Sequence, residues 1–199
     1  MEDSNELSDL EAFFRIMAFI APLSGALRRR FEDFIVIKTY PKKHRLLCEG
    51  EISRHIFFIC KGFAKAFYLD AGGREHTTWF MGPGDLMISV RSFYTQQPAA
   101  ENIELLESSV LLSMTWGQLQ TIYTEFPEYN YHGRLLTEKY YILSEERGIL
   151  LRTRRPADRY SLLLKQLPKI TRQASLGQIA SFLEITQETL SRVRSGKRN

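Results

Sequence analysis

Thiols, imidazoles and long apolar runs are scarce in this chain, and each scarcity closes off a class of function. Only two cysteines occur among its 199 residues. Cys48 and Cys60 fall in segments that read as neighbouring strands, without Cys-x-x-Cys spacing, which excludes a disulfide scaffold and a four-thiolate iron–sulfur cluster. Cys60, embedded in the run that begins at Ile56, reads as a small buried hydrophobe. His44, His55, His76 and His132 are scattered, with no pair at metal-ligand spacing. No metal, haem or other cofactor is expected. Ser-His-Asp logic, a phosphate-cradling Gly-x-Gly-x-x-Gly and a P-loop are missing as well, so the chain is not expected to be an enzyme. The apolar stretch between Arg15 and Arg28 is too short to span a bilayer and is interrupted by Pro22 and Gly25. Glu2, Asp3, Glu6, Asp9 and Glu11 give the N-terminus the wrong sign for a secretory leader. A soluble, cytoplasmic protein without a membrane partner is the expectation.

Basic charge is present, and it is unevenly placed. Residues 151–199 hold 11 Lys and Arg against 3 Asp and Glu, a net of +8, whereas the first 150 hold 16 against 20, a net of −4. The overall +4 therefore hides a basic C-terminal segment on a mildly acidic body, and a polyanion is its simplest partner. With 44% hydrophobic and 25% charged residues, the chain can build one ordinary domain and a small satellite.

Within the basic segment, residues 175–194 read as two short helices joined by a tight turn. Ser175 followed by Gln178 is a capping-box start. Ile179, Ala180 and Leu183 share a face, Glu184 and Ile185 make the turn, and Thr186 offers a second N-cap oxygen. Leu190 and Val193 then point inward with Ile185, leaving Gln187, Glu188, Ser191, Arg192 and Arg194 outward. This is the layout of a DNA-reading helix-turn-helix, because Arg, Gln and Glu match the hydrogen-bonding edges of guanine, adenine and cytosine. The plain alternative is an amphipathic hairpin with Glu188 and Arg192 as a surface pair worth ~0.2–0.5 kcal/mol.

Upstream, residues 7–33 have helical periodicity with a break at Pro22. From Ile35 to about Met114, short β runs (35–40, 46–48, 55–60, 63–69, 75–80 and 110–114) alternate with glycine turns, the pattern of an antiparallel barrel or roll. Residues 131–152 predict one long helix in which Leu135, Ile142 and Ile149 recur every seven residues, with Leu136, Leu143 and Leu150 one step behind. One stripe can pack on the roll while the other meets a symmetry mate, as in a two-chain coiled coil; a single buried helix using both stripes is the alternative. Pro156 begins a further helix running to Leu167. The fold class is α+β: a sensor roll with flanking helices at 1–130, a dimerisation helix and hinge at 131–153, and a helix-turn-helix domain at 154–199.

The order of these parts resembles the Crp/Fnr superfamily of bacterial transcription regulators over nearly the whole chain. The tokens that carry the resemblance are Glu49-Gly50-Glu51, Phe57 to Gly62, Gly82-Pro83-Gly84-Asp85, and Thr186 to Arg192. It implies a cyclic-nucleotide-binding-like roll and a homodimer on double-stranded DNA, with RNA polymerase as a candidate further partner. It implies base contacts from Gln187, Glu188 and Arg192. Ser175, Thr186, Ser191 and Arg194 are candidate phosphate contacts that fix register. Only five residues follow Arg194, so no β-hairpin wing is expected; Gly196 would stop the helix, with Lys197 and Arg198 beside the phosphates. Glu184 stands where such turns often carry Gly.

Members that bind cyclic nucleotides carry Gly-Glu and then Arg-Ser or Arg-Ala pairs after the Pro-Gly-Asp step. Those places hold Ile88-Ser89 and Ala99-Ala100 here. A desolvated cyclic phosphate would lack its cation, so binding of cyclic AMP in the family's manner is not expected. Ser89, Arg91, Gln96, Gln97 and Asn102 are candidate pocket residues for another, unknown effector. The rival function is a small-molecule or cyclic-nucleotide sensor module acting through protein partners.

Overall fold

The computed structural model describes residues 2–196, with side chains from residue 9 onward. Two helices open the chain, α1 (Glu2–Ile20) and α2 (Gly25–Phe34). Ser24 caps α2, its hydroxyl accepting from the Leu27 amide at 3.2 Å, as its short polar side chain and the helix-breaking Pro22 upstream favour. Phe13, Phe14 and Met17 of α1 and Leu27 and Phe31 of α2 lie on facing stripes and are buried. The ring of Phe13 packs edge-on against Phe31 at 5.2 Å and against Phe58 of the roll at 5.4 Å, so these helices share one core with the sheet.

The roll consists of two four-stranded antiparallel sheets. One joins β1 (Val36–Tyr40), β8 (Ser109–Thr115), β3 (His55–Lys61) and β6 (Leu86–Met87) in that order; the other joins β2 (Arg45–Leu47), β7 (Asn102–Leu105), β4 (Ala64–Leu69) and β5 (Glu75–Met81). Leu47, Ile59, Ala64, Met81, Met87, Ile103, Leu105 and Leu111 fill the interior, supplied by alternate positions along the strands. Gly62, between β3 and β4, has φ +106, and a Cβ there would stand 2.0 Å from the Ser109 hydroxyl, so only glycine fits. Within residues 35–114, two strands and a helix went unanticipated: β6, α3 (Val90–Thr95) and β7; so did the later helices at Trp116–Glu125 and Ile170–Gln173. Cys48 and Cys60 do not lie in neighbouring strands: Cys48 follows the end of β2, whereas Cys60 lies in β3 of the other sheet, half-buried, with burial first among the causes that push its thiol up to about 12.

The remaining elements are helical: α4 (Trp116–Glu125), α5 (Tyr129–Thr153), α6 (Pro156–Gln166), α7 (Ile170–Gln173), α8 (Leu176–Phe182) and α9 (Gln187–Arg194). Thr115 and Gln118 form a capping box on α4, and Pro156 occupies the first turn of α6. α5 crosses α4 closely: a Cβ at Gly133 would meet the Tyr123 hydroxyl at 2.3 Å and its ring carbons at 2.6 and 2.8 Å. Further along, the Tyr140 hydroxyl accepts from the Leu86 amide at 2.7 Å, tying α5 to β6. Leu136 packs into the core shared with α1 and α2, whereas Ile142 and Ile149 are 54% and 58% exposed and Leu135 is half-buried.

Candidate nucleic-acid interface

Local sequence chemistry builds the α8–α9 unit. The Ser175 hydroxyl accepts from the Gln178 amide at 3.2 Å while the Gln178 side-chain oxygen accepts from the Ser175 amide at 2.9 Å, so both capping-box bonds are made. Thr186 caps α9 through the Thr189 amide at 3.1 Å. Ile179, Ala180, Leu183 and Leu190 are buried with Leu163 of α6 and Ile170 of α7, which holds the two helices as one body. Between them Glu184 has φ +53, the left-handed region that costs a non-glycine residue about 1–2 kcal/mol. The Ile185 amide donates to the Ala180 carbonyl at 3.0 Å across this turn.

With Leu190 fully buried, the outer face of α9 presents Gln187, Glu188, Ser191, Arg192 and Arg194, all exposed. Among the described residues no ion pair joins Glu188 to Arg192. Ser175 and Thr186 are exposed at the starts of α8 and α9. Val193 and Ile185 are half-buried, flanking Leu190. Lys197 and Arg198 lie outside the described residues.

This unit rests directly on the roll, a contact for which the sequence carries no pattern. The Phe182 ring lies 5.0 Å from Phe80 of β5. The Arg147 guanidinium of α5 sits 4.0 Å over the Phe182 ring and donates to the Phe182 carbonyl at 3.1 Å. Arg159 of α6 donates to the carbonyl of Leu183 at 2.9 Å and also to that of Leu151. Beneath the seam Lys65, only 2% exposed, pairs with Glu75 and with Glu104 at 3.5 Å and lies 4.2 Å from the Phe67 ring centroid.

The five candidate pocket residues are distributed differently. Ser89 is buried and its hydroxyl donates to Glu101 at 2.6 Å; burial holds that carboxyl above its ordinary range. Asn102 is also buried, its carbonyl oxygen accepting from the Glu49 amide at 3.2 Å, while its Nδ2 has no partner among the described residues. Arg91 and Gln97 are exposed. Gln96, at φ +53, closes α3 and donates from its side chain to the Phe93 carbonyl at 2.6 Å. Reading the sequence overlooked Glu101, whose burial follows from β7 and its approach to Ser89. Among the described residues no group of three or more His, Cys, Asp and Glu side chains is placed to hold a metal, and no helix is long and apolar enough to cross a membrane.

Residues 37–126 match the family described as cyclic nucleotide-binding domain, and that match covers the roll and α4. The arrangement of roll, long helix and terminal helical unit extends the likeness across the chain. Beyond that domain the likeness is one of fold. Among solved structures sharing it, FixK2 from Bradyrhizobium japonicum superposes with a TM-score of 0.70 at 18% identity, over 81% of this chain and 83% of its own. The c-di-GMP-responsive global regulator CLP of Xanthomonas campestris gives 0.69 at 15% identity, over 87% and 91%. The catabolite activator protein of Thermus thermophilus gives 0.53 at 19%, over 88% and 84%. No curated protein matched the sequence. In this arrangement α9 is the second helix of the α8–turn–α9 unit.

Proposed function

We propose that this chain is a homodimeric, sequence-specific DNA-binding transcriptional regulator. Its sensor occupies residues 1–130, its dimerisation helix 131–153 and its DNA-binding domain 154–199. One observation carries the reading: the exposed face of α9 offers Gln187, Glu188 and Arg192, unpaired among the described residues, on the most basic part of the chain. Arg192 donates two hydrogen bonds to a guanine edge, Gln187 brackets an adenine, and Glu188 accepts from a cytosine amine. Ser175, Thr186, Ser191 and Arg194, with Lys197 and Arg198, hold the backbone and fix register.

One short helix specifies too few bases, so the protein acts as a pair. The exposed Ile142 and Ile149, with Leu135 a further turn pair away, form the seam between two α5 helices. The two α9 helices then address half-sites about 34–36 Å apart. The relatives' names support a regulatory role: CLP is described as a global regulator and the Thermus protein as a catabolite activator.

The roll does not take cyclic AMP in the family's manner. Where a phosphate-binding cation would serve, the chain has Ala99-Ala100, followed by the Glu101 carboxyl bonded to Ser89. A second anion desolvated there would be uncompensated. The deciding experiment is selection of bound sequences from a random duplex pool, with an enriched palindrome expected. A pool that shows no enrichment refutes sequence-specific binding.

A further inference from the structure

A polar cleft of about 330 Å³ separates the roll from the helix-turn-helix, lined by Arg74 and Glu75 on one side and by Ser175, Gly177, Gln178 and Gln187 on the other. We propose that Arg74 is a DNA-backbone contact supplied by the roll, its guanidinium binding a phosphate of the same duplex that α9 reads. The inference rests on the DNA-binding reading above and extends the interface to a second part of the chain.

Arg74 is held in place by its own hairpin. Asp70 accepts from the amides of Gly72 and Arg74 at 2.9 Å each, its second oxygen meets His76 at 2.9 Å, and the Asp70 amide donates to the Arg74 carbonyl at 3.0 Å. The hairpin is in turn fastened to α8, because Ser181 bonds to the backbone of Thr77 and of Glu75. Arg74 therefore keeps a fixed position relative to Gln187, and little backbone ordering is needed when a phosphate arrives.

Charge also favours an anion here. The two nearby acids are engaged elsewhere, Glu75 with Lys65 and Asp70 with His76 and the turn amides. The Arg74 side chain is exposed and has no ion-pair partner among the described residues. Ser175 and Gln187, across the cleft, are the places where the backbone and base contacts of the helix-turn-helix begin. The outer face of α9 is exposed while the roll is docked, so a duplex lying on that face passes the cleft mouth. A guanidinium there meets sugar–phosphate, the part of DNA that carries charge without sequence information.

The test measures duplex affinity of the full chain over a range of salt for the unsubstituted protein, Arg74→Ala and Arg74→Glu. Both variants should bind every duplex more weakly by a common factor, Arg74→Glu the more so. For Arg74→Ala the slope of log affinity on log salt should become shallower by about 0.9 per protomer. A photoreactive group on Arg74→Cys should crosslink to the DNA strand above the level of the identically treated unsubstituted chain. Affinity and slope unchanged in Arg74→Glu, tighter binding by either variant, or no crosslink overturns the contact. If Arg192→Ala still loses base discrimination in that case, the reading of α9 survives alone. If the unsubstituted chain shows no salt-dependent duplex binding, both fall.

Discussion

The hydroxyl oxygen of Ser181 on α8 accepts a hydrogen bond from the backbone amide of Thr77 on β5 at 2.9 Å and donates to the Glu75 carbonyl at 3.3 Å. β5 is the outer strand of its sheet, so these groups have no neighbouring strand to pair with. One side chain of the helix-turn-helix thus covers part of an open sheet edge.

Ser181→Ala should leave a buried amide unsatisfied and destabilise the docked arrangement by about 1–3 kcal/mol. Urea unfolding measures the loss, and hydrogen exchange at the Thr77 amide should accelerate with it. Unchanged exchange at that amide would mean the contact contributes nothing in solution.

Base reading and backbone holding predict different responses on α9. Arg192→Ala should cost about 1–3 kcal/mol on the selected site and relax preference at one base position. Arg194→Ala should weaken all duplexes alike and reduce the salt slope. Competition binding against a panel of single-base variants separates the two, and a reversed pattern would exchange their roles.

Ile142 is more than half exposed on α5, so Ile142→Asp can abolish pairing without opening the core. Sedimentation should show monomers, with circular dichroism retaining the helical signal. A dimer that persists would place the seam away from this stripe.

Burial holds the Glu101 carboxyl above its ordinary range. An acid with a raised folded-state pKa binds more protons folded than unfolded across the shifted interval, so its contribution to stability falls as pH rises through it. Glu101→Gln keeps an acceptor for Ser89 and removes the charge. The variant should gain stability relative to the unsubstituted protein as pH is raised from about 4 to 7, with the difference vanishing at the acid end. Parallel melting curves across that range would contradict the assignment.

Reading residues in order recovers features whose signals are local. The Ser175–Gln178 capping box, the Thr186 cap, Pro156 in the first turn of α6, and the extent of α5 were all legible because spacing and cap chemistry act within a few residues. β6 and β7 were not: a two-residue strand has no measurable alternation, and Asn102 and Glu104 dilute the pattern of β7. Apart from Arg91, α3 is built from Val90, Ser92, Phe93, Tyr94 and Thr95, types that favour strands or turns, and its helix is held by tertiary packing of Phe93. The same limit hid the seam between roll and helix-turn-helix. Arg147 and Phe182 are 35 positions apart, and nothing near either one announces the other. Lys65 stands between Ala64 and Ala66, and nothing local announces that β5 and β7 bring it Glu75 and Glu104.

Gly133 governs a distance far from itself. Because even a methyl there would strike Tyr123, α5 passes as close to α4 as the two helices allow and cannot lean nearer to it. The helix continues for about 30 Å beyond that crossing, so each degree of tilt would sweep its far end by about half an ångström. The missing side chain acts as a gauge stop, and the reach of the whole rod is calibrated at its root.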